Sequence, residues 1–203
     1  MAAYHKAPRV YLGVSNPAIA ARVAAWRAAL DLPGRTELAA GLWETDIHEA
    51  RVAAAKLLTQ ARMADDEPVW RLVASWVPRL DAWALADHAA DAGSRRIAAA
   101  PARLDEVEEW TGSGNMWARR AALTFTLHLA KLNHPGPEDR ARRERVLGWA
   151  AGYVADREWF IQKAVSWWLR TLSKREPERV RAFLEAHGAR MKAFARKDAA
   201  RLL

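Results

Sequence analysis

Helix breakers recur along the whole length of this chain, and between them nothing alternates. Pro17, Pro33, Pro68, Pro78, Pro101, Pro135, Pro137 and Pro177 punctuate segments dominated by Ala, Leu, Arg and Glu. Strands would show period-2 alternation and β-branched enrichment; both are missing, so an all-α fold is expected. Asn16 is placed as an N-cap with Pro17 at the first helical position, and Leu32-Pro33-Gly34 closes that helix. Further helices are expected over 35–45, 46–63, 67–77, 82–92, 102–111, 115–132, 137–154, 158–174, 177–187 and 192–202. In the helix over 82–92, Asp81 is read as N-cap and Gly93 as the C′ residue. About ten helices joined by tight links suggest antiparallel pairs, two helices per ~40 residues, which is the period of HEAT-like repeats. An irregular bundle is the alternative. A solenoid of such pairs, unlike a bundle, has a concave face suited to an extended partner. No linker is long enough to divide residues 1–203, so one domain is expected.

Composition removes several chemistries. The chain has no cysteine, which excludes disulfides, thiolate metal sites and cysteine nucleophiles. Its six histidines (His5, His48, His88, His128, His134, His187) show no metal-ligand spacing and are read as surface or satisfied structural residues. Gly112-Ser113-Gly114 lacks the lysine and the preceding strand of a phosphate loop. No metal and no cofactor are expected. No run reaches the length of a membrane span, and no apolar signal region opens the chain, so a cytoplasmic protein is expected. Eleven tryptophans are many for this length. Most would fill gaps between Ala-rich helices.

The net charge is +8, and it is unevenly placed. Residues 157–203 carry 12 Lys/Arg against 5 Asp/Glu, a local +7, while residues 1–156 carry 20 against 19. The helix over 158–174 opens this basic quarter and has two opposed faces at 3.6 residues per turn. Ile161, Val165, Trp168 and Leu172 form an ordinary core stripe. Lys163, Trp167, Arg170 and Lys174 form the other. A large aromatic among cations at one-turn spacing suits a polyanion with apolar edges, and nucleic acid is the commonest such ligand. A solvated basic face with Trp167 packed on a neighbouring helix is the competing account of that helix taken alone.

Residues 157–175 (REWFIQKAVSWWLRTLSKR) and the EPERVRAFLEAH that follows resemble the AlkD family of DNA alkylation repair glycosylases, which are HEAT-like-repeat proteins. Residues 4–17 (YHKAPRVYLGVSNP), 41–58 (GLWETDIHEARVAAAKLL) and 115–123 (NMWARRAAL) are similar to further family segments in the same order. The resemblance implies an active-site set. A Trp-x-x-x-Asp pair falls on Trp83 and Asp87, an Arg three residues after a Trp on Arg120, the Trp after Gln-Lys-Ala on Trp167, and an early tyrosine on Tyr4. Two features depart from the family pattern: Ala84 follows Trp83 where an acidic residue is expected, and the stretch ahead of Tyr4 is short, so that either most of a first helix is absent or the start is late.

Trp83 and Asp87, at i and i+4, share a helix face, set away from Leu85 and Ala89. Glycosidic cleavage builds positive charge on the deoxyribose, which a fixed carboxylate stabilises while orienting water. A purine alkylated at N3 or N7 is already cationic and leaves neutral without a general acid, so one carboxylate, Asp87, suffices. Trp83 and Trp167 would complete the catalytic set by packing on the damaged nucleotide. Tyr4, Arg120, Lys163, Arg170 and Lys174 would bind DNA, with Arg120, Thr124 and Lys131 forming one phosphate-tracking row. The implied partner is double-stranded DNA containing alkylated purines, engaged without a closed base pocket. The alternatives are a non-catalytic HEAT-like protein binding branched or distorted DNA, and a protein-interaction scaffold.

Overall fold

The computed structural model of the protein describes the backbone of residues 2–5 and 7–203. It is all-α: α1 (Ala2–His5), α2 (Asn16–Ala29), α3 (Leu32–Glu44), α4 (His48–Leu57), α5 (Glu67–Trp76), α6 (Trp83–Ala99), α7 (Leu104–Glu109), α8 (Met116–Thr124), α9 (Leu127–Lys131), α10 (Pro137–Gly152), α11 (Trp159–Ser173), α12 (Pro177–His187) and α13 (Ala193–Ala199), with short 3-10 turns between some of them. Among the described residues the only β pairing is a single parallel bridge, Val10 to Ile47. The chain forms two compact units, Met1–Leu104 and Asp105–Leu203.

In the first unit α4 is the central helix, packed on α2, α3 and α6. Tryptophan fills the gaps left by alanine, as expected: Trp43 stacks on Trp76 with ring centres 4.2 Å apart, and Trp70 is fully buried. In the second unit α11 is central, packed on α8, α9, α12 and α13. The repeat length is visible in side-chain bonds that join positions 35–42 residues apart. In the first unit these are Arg79 to Glu44, Arg96 to Gln60 and Arg103 to Asp66. In the second they are Arg179 to Glu144, Trp149 to Glu108 and Tyr153 to Thr111. Each ties one helix pair to the next at the ~40-residue spacing of HEAT-like units.

Several helix ends differ from expectation, each for a local reason. Ser15, not Asn16, caps α2, its hydroxyl accepting from the Ala18 N–H. Leu32-Pro33-Gly34 opens α3 rather than closing α2, because the Asp31 carboxylate accepts from the Gly34 N–H at 2.9 Å. α4 stops at Leu57, where the Arg27 side chain takes the Leu57 carbonyl at 3.2 Å and the Thr59 hydroxyl at 2.6 Å. Gly93 does not end α6, which runs on to Ala99 because Leu85, Ala89, Ala92, Arg96 and Ile97 continue one buried stripe. Burial of that stripe outweighs the low helix propensity of a single glycine. The helix expected over 115–132 is broken into α8 and α9, where the Thr126 hydroxyl bonds back to the carbonyls of Ala122 (2.9 Å) and Leu123 (3.0 Å).

Candidate nucleic-acid interface and active site

The first unit positions Tyr4, Trp83 and Asp87. On α6 the side chains of Ala84, Leu85, Ala86 and Ala89 are buried. Trp83 and Asp87, both half-buried, lie one turn apart on the side opposite Leu85 and Ala89. The expected cap does not form. The Asp81 carboxylate instead binds the buried guanidinium of Arg9, which also pairs with Asp46 at 3.3 Å, and α6 starts from Ala82 without a side-chain cap. That ion pair anchors an extended strap. Val10 accepts from the His48 N–H at 3.0 Å, and the Glu49 carboxylate accepts from the N–H groups of Leu12 (3.0 Å) and Gly13 (2.9 Å). Gly13 has φ 75, a left-handed conformation that glycine adopts without steric cost.

The strap brings rings onto Trp83. Tyr4, largely exposed, meets it edge-on at 5.6 Å, and His5 stacks on it at 5.7 Å. His5 lies 4.0 Å from His48 and 5.4 Å from Tyr11, centre to centre. These two histidines are therefore neither surface residues nor fully satisfied ones. They are buried together, and the Nδ1 atom of each lacks a hydrogen-bond partner among the described residues. Burial, with the neighbouring His5, pushes His48 down to about 4, and burial also lowers His5, so the stack is made of neutral imidazoles near neutral pH. Ala84, where an acidic residue was expected, faces the core at 6% exposure. A carboxylate there would be buried away from water.

The second unit positions Arg120, Lys163, Trp167, Arg170 and Lys174. Ile161, Val165, Trp168 and Leu172 are all fully buried, while Lys163, Trp167 and Arg170 are half-buried and Lys174 is exposed. The rotation of α11 is held by Gln162, the first residue of the Gln-Lys-Ala signature. Its buried amide donates to the carbonyls of Tyr153, Val154 and Asp156, each at 3.0 Å, and its oxygen accepts from the Lys192 N–H at 3.0 Å.

Arg120 is buried, at 3% exposure, and donates to the Phe160 carbonyl at 2.9 Å, with its guanidinium 5.9 Å from the Phe160 ring centre. It thus docks α8 on the first turn of α11. The expected row of Arg120, Thr124 and Lys131 is not formed. Thr124 is buried with its hydroxyl turned back to the Arg120 carbonyl, and Lys131 lies beyond the break at Thr126. The basic stripe is also less bare than its sequence suggests. Arg170 is paired with Asp198 of α13, and the Lys163 amine lies 3.9 Å from the same carboxylate.

One further residue belongs to this face. Trp159 is 49% exposed, stacks on Phe194 at 5.7 Å, and has the Lys163 amine 6.0 Å from its ring centre. Its spacing, four residues before Lys163 and eight before Trp167, was the available signal. Among the described residues no group of three His, Cys, Asp or Glu side chains could hold a metal ion, and no helix is long and apolar enough to cross a membrane.

Helix pairs tied at a ~40-residue period, with paired aromatic and charged side chains on their outward faces, define a HEAT-like helical-repeat protein. Over residues 1–203 the sequence matches the model of the DNA alkylation repair enzyme family. The chain belongs to that family. Its fold is similar to that of a predicted DNA alkylation repair enzyme from Enterococcus faecalis (21% identity, TM-score 0.81, covering all of this chain and 92% of the other). It is also similar to smu.31 from Streptococcus mutans UA159 (19% identity, TM-score 0.67, 91% of each chain) and to AlkD2 from Streptococcus mutans (18% identity, TM-score 0.65, 93% of this chain and 90% of the other). No curated protein matches the sequence.

Proposed function

We propose that the protein is a DNA glycosylase that hydrolyses the N-glycosidic bond of cationic N3- or N7-alkylated purines in duplex DNA. The observation that carries this reading is the face of α6: Trp83 and Asp87 stand one turn apart on its outer side, with Tyr4 edge-on to Trp83 and the flanking side chains buried. Asp87 is assigned the reaction itself. As the bond to the base stretches, positive charge grows at the anomeric carbon, and a nearby carboxylate lowers its energy and orients the attacking water. The bond electrons pass to the alkylated base, which departs neutral. The water oxygen bonds the anomeric carbon and gives up one proton to the Asp87 carboxylate, which releases it to solvent. No acid is needed for the leaving group.

Trp83 and Trp167 are assigned packing contacts on the damaged nucleotide, and their ring faces also attract its positive charge. Tyr4 supports Trp83. Lys163, Arg170 and Lys174 are assigned phosphates, which set register and carry no base sequence information. Arg120 contributes through its hold on α11 and, as the family resemblance implies, through the DNA backbone. The protein would act as a monomer on double-stranded DNA, without a closed pocket for the base and without a cofactor.

The test is base release from duplex DNA carrying N7-methylguanine or N3-methyladenine. The Asp87→Asn protein should bind this DNA nearly as well as wild type and release base on the order of 100-fold or more slowly. Equal turnover by the two proteins would remove Asp87 from the mechanism.

A further inference from the structure

The most basic quarter of the chain carries one acidic side chain in the middle of its cationic face. Asp198 lies in the last turn of α13, and Ala195 and Ala199 on the same helix are fully buried. Packing of α13 on α11 delivers the Asp198 carboxylate to the stripe that holds Lys163 and Arg170. One of its oxygens accepts from the Ser166 hydroxyl at 2.9 Å and lies 3.9 Å from the Lys163 amine. The other pairs with Arg170 and lies 3.9 Å from the Arg201 guanidinium. Three cations and one hydroxyl thus converge on a single carboxylate, whose side chain is 15% exposed against 41% for Lys163 and 19% for Arg170.

We propose that Asp198 is a built-in counter-ion that limits backbone affinity, occupying Arg170 and Lys163 in the free protein so that duplex DNA, damaged or not, gains less from them. The inference rests on the DNA-binding role proposed above. A carboxylate bound to a guanidinium presents the same oxygen-donor geometry as a phosphate does. Duplex DNA arriving at α11 must therefore exchange one anion for another at Arg170. The net electrostatic gain is smaller than for a bare cation, and fewer DNA counter-ions are released. Sequence-independent attraction is the term most reduced by such an arrangement. Contacts made only at a lesion, through Trp83, Asp87 and Trp167, are untouched.

The carboxylate is suited to remain charged. Burial alone would raise its pKa, but the Ser166 hydroxyl, Arg170 and Lys163 outweigh burial and hold it below the ordinary carboxylate range. A purely structural bond to Ser166 would not require a charge or bring three cations within 4 Å.

The experiment compares wild type with Asp198→Asn, which keeps shape and an acceptor for Ser166 but removes the charge. Binding to undamaged duplex and to duplex carrying N7-methylguanine is titrated over a range of salt. For Asp198→Asn, undamaged and damaged duplex should both bind several-fold more tightly, and the slope of log K against log salt should steepen by roughly one unit for each. Asp198→Glu, which retains the charge, should keep the wild-type slope. If Asp198→Asn does not fold, Asp198→Ser reads the same slope with a smaller acceptor. Unchanged or weaker binding and an unchanged slope, in variants that fold, would overturn the inference and leave Asp198 as a bracket between α11 and α13. Failure of wild type to bind duplex DNA at all would overturn the proposed function, and the inference with it.

Discussion

Trp167 and Trp168 are neighbours in α11 with opposite surroundings: Trp168 is fully buried in the core of its unit, and Trp167 is half exposed between Lys163 and Arg170. About 100° of helical rotation separates them. Trp168→Ala should leave a cavity and cost about 3–5 kcal/mol, with any loss of activity following the loss of fold. Trp167→Ala should leave urea unfolding close to wild type and reduce base release. The opposite pattern would mean that the basic stripe is not the DNA-facing side of α11.

Uracil is a neutral base in DNA and departs as a poor anionic leaving group. With one carboxylate assigned to Asp87 and no acid, uracil-containing duplex should show no base release above background under conditions that clear N7-methylguanine. Efficient release of uracil would reveal a proton donor outside the assigned set.

Acid should loosen the ring stack under Trp83. The folded protein holds His48 at about 4, below its ordinary value of 6.5, so folding favours the neutral ring. Its contribution to stability is complete above about pH 6.5 and is lost as pH falls from there towards 4. At ~1.4 kcal/mol per pKa unit, this one ring should remove about 2 kcal/mol between neutral pH and about pH 5. His128, also held at about 4 by burial, adds a fall of the same sign. In His48→Gln the decline measured by urea unfolding at about pH 7.5 and about pH 5 should be shallower. An unchanged decline would show that His48 does not resist protonation.

Gln162→Glu should be far more damaging than its size suggests. The Gln162 amide donates to three carbonyls in a buried site, and a carboxylate has nothing to donate there. Leaving those carbonyls facing a buried oxygen should cost about 3 kcal/mol or more. The measurement is the urea midpoint, with Gln162→Leu beside it as the apolar control. Gln162→Glu as stable as wild type would mean that the loop before α11 is held by other means.

Much of this protein is legible one helix at a time. Proline spacing and the absence of alternation determined an all-α chain. Period 3.6 placed Ile161, Val165, Trp168 and Leu172 in the core, and set Trp83 and Asp87 opposite Leu85 and Ala89. The ordered motifs determined the family. These properties follow from the geometry of a single helix, which repeats whatever lies beyond it.

What each face meets was decided only by tertiary structure. Asp198 enters the basic stripe because α13 packs on α11, and Asp81 leaves its expected cap because the strap carries Arg9 to it. His5 and His48 are brought ring to ring in one buried cluster, and Gly93 stays inside α6 because its neighbours continue a buried stripe. Arg120 becomes a docking residue because Phe160 of another helix offers it a carbonyl. Periodicity states which side of a helix turns inward. It carries no information about which distant side chain arrives there, and charge pairing, ring stacking and pKa depend on that arrival.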